Sequence, residues 1–234
     1  GNLDIDGVYI DDSALDRITL RRARKIIDDH RPEGRMDLHS WNHFNQWAGY
    51  TNCLNLYMDL LPYFDLVWIG EGRDYDRMPD HWLVEVSGIP FGLPGQMLQG
   101  GGNPWRGMVY GITNRAGWGG DPTEIWKFWD QYHIMEKQMI GYWDPENPVK
   151  SSNELVKATL YKSPEQCIIA VANWEKKDQR TSIRIDWDQL GLDQSRCEYQ
   201  IPSIQDFQKE LAPASLEKLL IPGGKGYLIV IRKK

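Results

Sequence analysis

The periodicity of this chain changes at Asp144-Pro-Glu-Asn-Pro148, and that change constrains the fold more than any other feature. Before it, from residue 6 to about 145, apolar runs of strand length alternate with stretches of helical spacing. Such alternation implies strands paired in parallel through right-handed helical crossovers. Strands are expected at 6–11, 36–41, 64–70 and 108–113, and helices at 16–30, 44–61 and 122–140. In the first helix Ile18, Ala23, Ile26 and Ile27 are spaced for one apolar face, and Arg21, Arg22, Arg24 and Lys25 read as solvated. Pro32 with Gly34 ends that helix, Pro62 ends the next, and a Gly/Pro-rich excursion with some helix covers 79–99. After the break the pattern becomes short runs of Val and Ile alternating with polar residues, at 155–161, 167–173, 181–185, 196–201 and 226–232. That is the signature of an antiparallel sandwich.

Four strand–helix units fit in the first part, whereas a complete eight-unit barrel takes about 250 residues. The expected fold is therefore α/β plus all-β: the C-terminal half of a (β/α)8 TIM barrel over 1–145, then an antiparallel β-sandwich over 146–234. A small open α/β sheet, or two copies completing one barrel, are the other arrangements. The chain starts almost on a strand, and Gly1 reads as a residue left by a cut tag. The expectation is thus a portion of a longer protein, completed by a missing N-terminal half-barrel or a second copy.

A net charge of −6 argues against nucleic acid as the main partner, and no apolar run approaches the length of a membrane span. Cys53, Cys167 and Cys197 fit no metal spacing, their odd number leaves no complete disulfide framework, and free thiols are expected. His30, His43, His81 and His133 lack metal-like spacing too, so neither metal nor cofactor is expected. Nine of the 11 tryptophans precede residue 150. Indole faces suit the apolar faces of sugar rings, although Trp126 and Trp129 on a predicted helix read as core. Trp105 and Trp118 lie in Gly-rich stretches and are candidates for a substrate wall.

The chemistry gathers at predicted strand ends. Asp6-Gly-Val-Tyr-Ile-Asp-Asp12 is a strand ending in two carboxylates. Alternation puts Tyr9 and Asp11 on one face and Val8, Ile10 and Asp12 on the other, so Asp11 points into a barrel mouth. Asp12 would bond a sugar hydroxyl or cap the next helix. The second strand offers His39, Trp41 and Asn42; the third offers Glu71, with Arg73 close by; the fourth offers Arg115. In a parallel barrel these exits share one face. Glycoside cleavage needs two carboxyl groups flanking the bond. Asp11 as nucleophile and Glu71 as acid/base satisfy that, with Asp12, His39, Trp41, Asn42, Arg73, Trp105, Arg115 and Trp118 around the sugar. A salt-bridged Glu71 or a core His39 is the plainer alternative. An aromatic cleft that binds carbohydrate without cleaving it is the competing function. Leu3-Asp-Ile-Asp-Gly-Val8 echoes the opening of haloacid-dehalogenase phosphatases, but there the nucleophile follows an apolar strand, and here the apolar run comes after the Asp-Gly.

Asp6-Gly-Val-Tyr-Ile-Asp11 resembles the strand of amylase-like retaining glycosidases whose last Asp is the nucleophile, and Gly70-Glu71 resembles their acid/base strand end. The chain is similar over nearly its whole length to a bacterial group related to glycoside hydrolase family 123. The similarity runs through Tyr9-Ile-Asp-Asp12, Asp37-Leu-His-Ser-Trp-Asn42, Trp82-Leu-Val-Glu-Val-Ser-Gly-Ile-Pro-Phe91 and Gly102-Asn-Pro-Trp-Arg-Gly-Met-Val-Tyr110. The resemblance implies glycan degradation in a periplasmic or extracellular setting. Family 123 enzymes release N-acetylgalactosamine with an adjacent Asp-Glu pair and the substrate's own acetamido group as nucleophile. This chain has Asp11-Asp12 there, which would make Asp12 the acid and Asp11 the group that positions the amide.

Overall fold

A computed structural model describes residues 5–11, 15–40, 58–69, 74–97, 102–117, 120–212 and 216–234. The chain divides into two compact units, Gly1–Gly102 with Gly117–Gly119, and Asn103–Ala116 with Gly120–Lys234. The division expected at 145 thus falls near 102.

The first unit is built on strands β1 (Gly7–Asp11), β2 (Arg35–Ser40), β3 (Leu66–Ile69) and β4 (Gly95–Met97), with helix α1 (Arg17–His30) between the first two. They form one parallel sheet in the order β1-β2-β3-β4. Asp11 pairs with His39 and His39 with Trp68. With side chains alternating, the register sets Tyr9, Asp11, Asp37, His39 and Trp68 on one face. Val8, Ile10, Met36, Leu38, Val67 and Met97 lie on the other, where Met36, Leu38, Val67 and Met97 are buried. Gly7 permits the close approach of β1 to β2, since a Cβ there would stand 2.5 Å from the Arg35 carbonyl oxygen.

Asp16 caps α1, its carboxylate accepting from the Thr19 N–H at 2.7 Å. The buried stripe of α1 is centred on Leu20, with Ala23, Arg24 and Ile27 half-buried or nearly so, while Ile18 and Ile26 are 70% and 60% exposed. The expected apolar face is therefore rotated. Arg24 turns inward because it has partners there: it bonds Asp28, Asp65 and the Gly34 carbonyl, and Asp65 in turn accepts from the Met36 N–H.

The fourth strand is β4, and the strand expected at 108–113 does not form. Helix α2 (Pro104–Val109) takes its first two residues, turn and irregular backbone take 110–113, and the stretch belongs to the second unit. Asn103 caps it, accepting from the Arg106 N–H at 2.9 Å, and Pro104 sits in the first turn where no N–H is required. The helix expected over 122–140 stops as α3 (Thr123–Gln131). The backbone passes through left-handed His133 (φ 49°), and Gln138–Ile140 continues as strand β5.

The second unit adds β6 (Val149–Ser151), β7 (Val156–Lys162), β8 (Gln166–Asn173), β9 (Gln179–Thr181), β10 (Ile183–Ile185), β11 (Cys197–Gln200), β12 (Leu219–Ile221) and β13 (Gly226–Lys233). A five-stranded antiparallel sheet runs β11-β13-β8-β7-β5, beside the two-stranded ladders β10-β6 and β12-β9. One face of the large sheet sends Leu160, Cys167, Ile169, Val171, Ile229 and Ile231 against Val149, Ile183, Leu219 and Ile221 of the ladders. The other sends Tyr161, Ile168, Ala170, Leu228 and Val230 against Met108, Ile125, Phe128, Ile204 and Phe207. Burial on both faces explains why β8 reads as a nearly continuous apolar run. Asn173 ties the end of β8, donating to the carbonyls of Lys177, Ile221 and Pro222 and accepting from the Glu175 N–H. Cys167 and Cys197 are buried free thiols, as expected, and burial pushes the Cys167 thiol up.

Candidate active site

The polar face of the parallel sheet carries the candidate site. Asp11 is the last residue of β1, and its side chain is 74% exposed. The Tyr9 hydroxyl donates to Asp11 Oδ1 at 3.0 Å, and His39 Nδ1 lies 2.8 Å from the same oxygen. The bond to His39, then that to Tyr9, and more weakly the charge of His39, hold the Asp11 carboxyl below its ordinary value, against a smaller desolvation effect. Asp11 is therefore poised as a carboxylate rather than as a proton donor. The Tyr9 ring lies against Trp68, centroids 4.3 Å apart, and His39 stacks beyond it at 6.3 Å. The His39 side chain is only 13% exposed, and its Nε2 is buried with no hydrogen-bond partner among the described residues.

Of the residues expected at the site, the fold brings Asp11 and His39 together. Asp12, Trp41, Asn42, Glu71, Arg73 and Trp118 lie outside the described residues. Trp105 and Arg115 belong to the second unit, not to the parallel sheet. The expectation for Arg115 assumed a strand at 108–113 and that for Trp105 a Gly-rich loop; the Asn-Pro helix start at 103–104 was the signal that argued otherwise. The Trp105 ring stacks on Phe207 at 4.9 Å, with Lys225 Nζ 5.5 Å from its centroid. Among the tryptophans expected in the core, Trp129 packs there and donates to Met108 Sδ, whereas Trp126 is partly exposed and donates to Thr113 Oγ1. Sequence reasoning gave Tyr9 no role, although alternation had placed it on the face of Asp11; a phenol two residues before a strand-end carboxylate was the available signal.

A groove of about 540 Å3 lies in the second unit, lined by Trp105, Phe207, Lys209, Lys225 and Tyr227 among others. Among the described residues its lining holds a single carboxyl, Asp206, so its size does not make it a site for two-carboxylate chemistry. Among the described residues no cluster of His, Cys, Asp and Glu could hold a metal ion, and no helix is long and apolar enough to cross a membrane.

Comparison with known structures gives the fold its context. The chain is similar to a maltogenic alpha-amylase from Thermotoga neapolitana, with TM-score 0.54 and 11% identity, over 99% of this chain and 62% of that one. It is also similar to an alpha-amylase from Lactobacillus plantarum, with TM-score 0.51 and 12% identity, over 97% of this chain and 62% of that one. At such identities the likeness concerns the fold alone. The chain spans about three-fifths of the length of these structures. No protein of curated function matches it. The family comparison is specific: residues 1–117 match "Glycoside hydrolase 123, TIM-barrel domain" and residues 121–232 match "Glycoside hydrolase 123, C-terminal domain". The chain belongs to the glycoside hydrolase 123 family.

Proposed function

We propose that this chain carries part of the catalytic face of a glycosidase, formed by the C-terminal half of a (β/α)8 barrel and followed by a β-sandwich. The observation that carries the reading is Asp11: an accessible carboxylate at a parallel strand end, its charged form favoured by two donors, on a face shared with aromatic side chains. A barrel would continue past the exposed side of β1, where Val8 and Ile26 are open to solvent. The rest of the barrel, from the same polypeptide or a second copy, is the proposed partner, and a glycan in the periplasm or outside the cell is the proposed substrate.

In the direct form of the mechanism, an Asp11 oxygen attacks the anomeric carbon as Glu71 gives its proton to the leaving oxygen. Glu71 then takes a proton from water, and the resulting hydroxyl displaces Asp11. The carboxyls would stand about 5–5.5 Å apart for this retaining route. Family membership favours a second form, in which the substrate's acetamido oxygen attacks, Asp11 holds the amide N–H, and Asp12 protonates the leaving oxygen. In both forms Asp11 must be charged.

The test uses the intact gene product on nitrophenyl glycosides, including N-acetylhexosaminides. Asp11→Asn is expected to lower turnover by about 10³-fold or more with folding intact. Turnover confined to 2-acetamido sugars selects the second form; turnover on 2-hydroxy sugars selects the first. Unchanged turnover in Asp11→Asn would reject the assignment and leave carbohydrate binding without cleavage.

A further inference from the structure

Asp11 ends an edge strand and is largely exposed. A carboxylate in that position would ordinarily turn through several rotamers. Here both donors, the Tyr9 hydroxyl at 3.0 Å and His39 Nδ1 at 2.8 Å, meet the same oxygen, Oδ1. Oδ2 has no hydrogen-bond or ion-pair partner among the described residues. Two donors on one oxygen fix the carboxylate plane and leave the second oxygen directed elsewhere. The donors are themselves held in place. Tyr9 lies two residues before Asp11 on the same sheet face and packs on Trp68, and His39 is directly opposite Asp11 in the strand register.

We infer that Tyr9 and His39 are positioning residues that pin Asp11 by Oδ1 and present Oδ2 to the substrate. The inference rests on the role proposed above for Asp11 and adds which oxygen reacts and what aims it. It also changes the role expected of His39, from contacting sugar to orienting the carboxylate. An ionised carboxylate only accepts hydrogen bonds, so Nδ1 carries the hydrogen and Nε2 is the other end of the ring. Among the described residues, the titratable groups on this face besides Asp11 are Tyr9 from β1 and Asp37 and His39 from β2; β3 contributes the neutral Trp68. Both donors favour the charged form of Asp11, so removing either lets its carboxyl rise toward the ordinary range.

The experiment compares Tyr9→Phe, His39→Ala and His39→Asn in the intact protein. Tyr9→Phe keeps the ring on Trp68 and loses only the hydroxyl. Asparagine places its amide N–H near the position of imidazole Nδ1, so His39→Asn keeps the donor. Tyr9→Phe and His39→Ala are expected to lower kcat about 10- to 100-fold with little change in KM, as a misaimed reacting group does. Both should move the acid limb of kcat/KM to higher pH, while His39→Asn stays near wild type in both respects. A 13C NMR titration of the Asp11 carboxyl reads the same shift without catalysis. Wild-type titration of Asp11 in both Tyr9→Phe and His39→Ala overturns the inference, as does loss in His39→Asn equal to that in His39→Ala. Should Asp11→Asn retain activity while the titration still shifts, the proposed function fails and the pinning of Asp11 stands.

Discussion

The two units bury their sheets differently. In the antiparallel sheet of the second unit both faces are covered, and β7, β8 and β13 are closed to solvent over most of their length. In the parallel sheet of the first unit, β1 is an edge strand with Val8 40% exposed, and Ile5, Val8, Ile26 and Ile27 line a hollow of about 200 Å3 beside it. One unit covers both faces of its large sheet and, among the described residues, holds no paired acids in its groove. The other keeps apolar surface open at its edge and charged chemistry on its face. The larger two-faced core and the proposed reactive carboxylate thus lie in different units.

The contrast can be broken most easily in the core of the second unit. Ile169→Ala removes a fully buried side chain from the centre of β8 and is expected to cost about 2–5 kcal/mol, read from chemical denaturation. A cost below about 1 kcal/mol, the level of a conservative swap, would mean the sheet is not packed as described. Asn173→Ala comes next, at about 1–3 kcal/mol, because three carbonyls and one N–H lose a buried partner at once. Thermal melting of that variant against Asn173→Asp separates the hydrogen bonds from side-chain volume.

On the first unit the expected effects are smaller and depend on pH. Asp11 has a folded-state carboxyl below the ordinary 3.8, so its contacts add stability above the unfolded value. That contribution fades as pH falls through the folded value, which places the loss below pH 3.8. Melting curves of wild type and Asp11→Asn should therefore differ near neutrality and converge in strong acid; a gap that widens on acidification contradicts the bonding described. The smallest effect belongs to Ile26→Thr, within about 0.5 kcal/mol for an outward helical position. A cost like that of Ile169→Ala would show that this edge is covered in solution, and solution mass would then tell whether a second copy covers it.

Much of this was legible in the residues. β1, α1, β2 and β3 fall within a residue or two of expectation, because strand and helix periods are local properties. The long strands β7, β8 and β13 were likewise readable from Val and Ile runs between turns. The errors have physical causes. Met108, Val109 and Tyr110 have strand-like composition, yet a capped helix start at Asn103-Pro104 makes the first two helical and Tyr110 the cap, and the Tyr161 hydroxyl donating to the Met108 carbonyl fixes them to the second unit. Three-residue strands such as β5, β6 and β12 carry too little pattern to be seen until a partner strand lies beside them.

Sequence by itself determined the two regimes of the chain, the strand that ends in Asp11, and the face on which Asp11 and Tyr9 point, since alternation needs only the backbone. Tertiary structure decided which residues meet. The pairing of Asp11 with His39, residues 28 apart, arises from the register of β1 on β2, which brings a second donor to the oxygen that Tyr9 already reaches. It likewise decided that Trp105 and Arg115 belong with the second unit, because long-range packing rather than local propensity sets where a short helix docks.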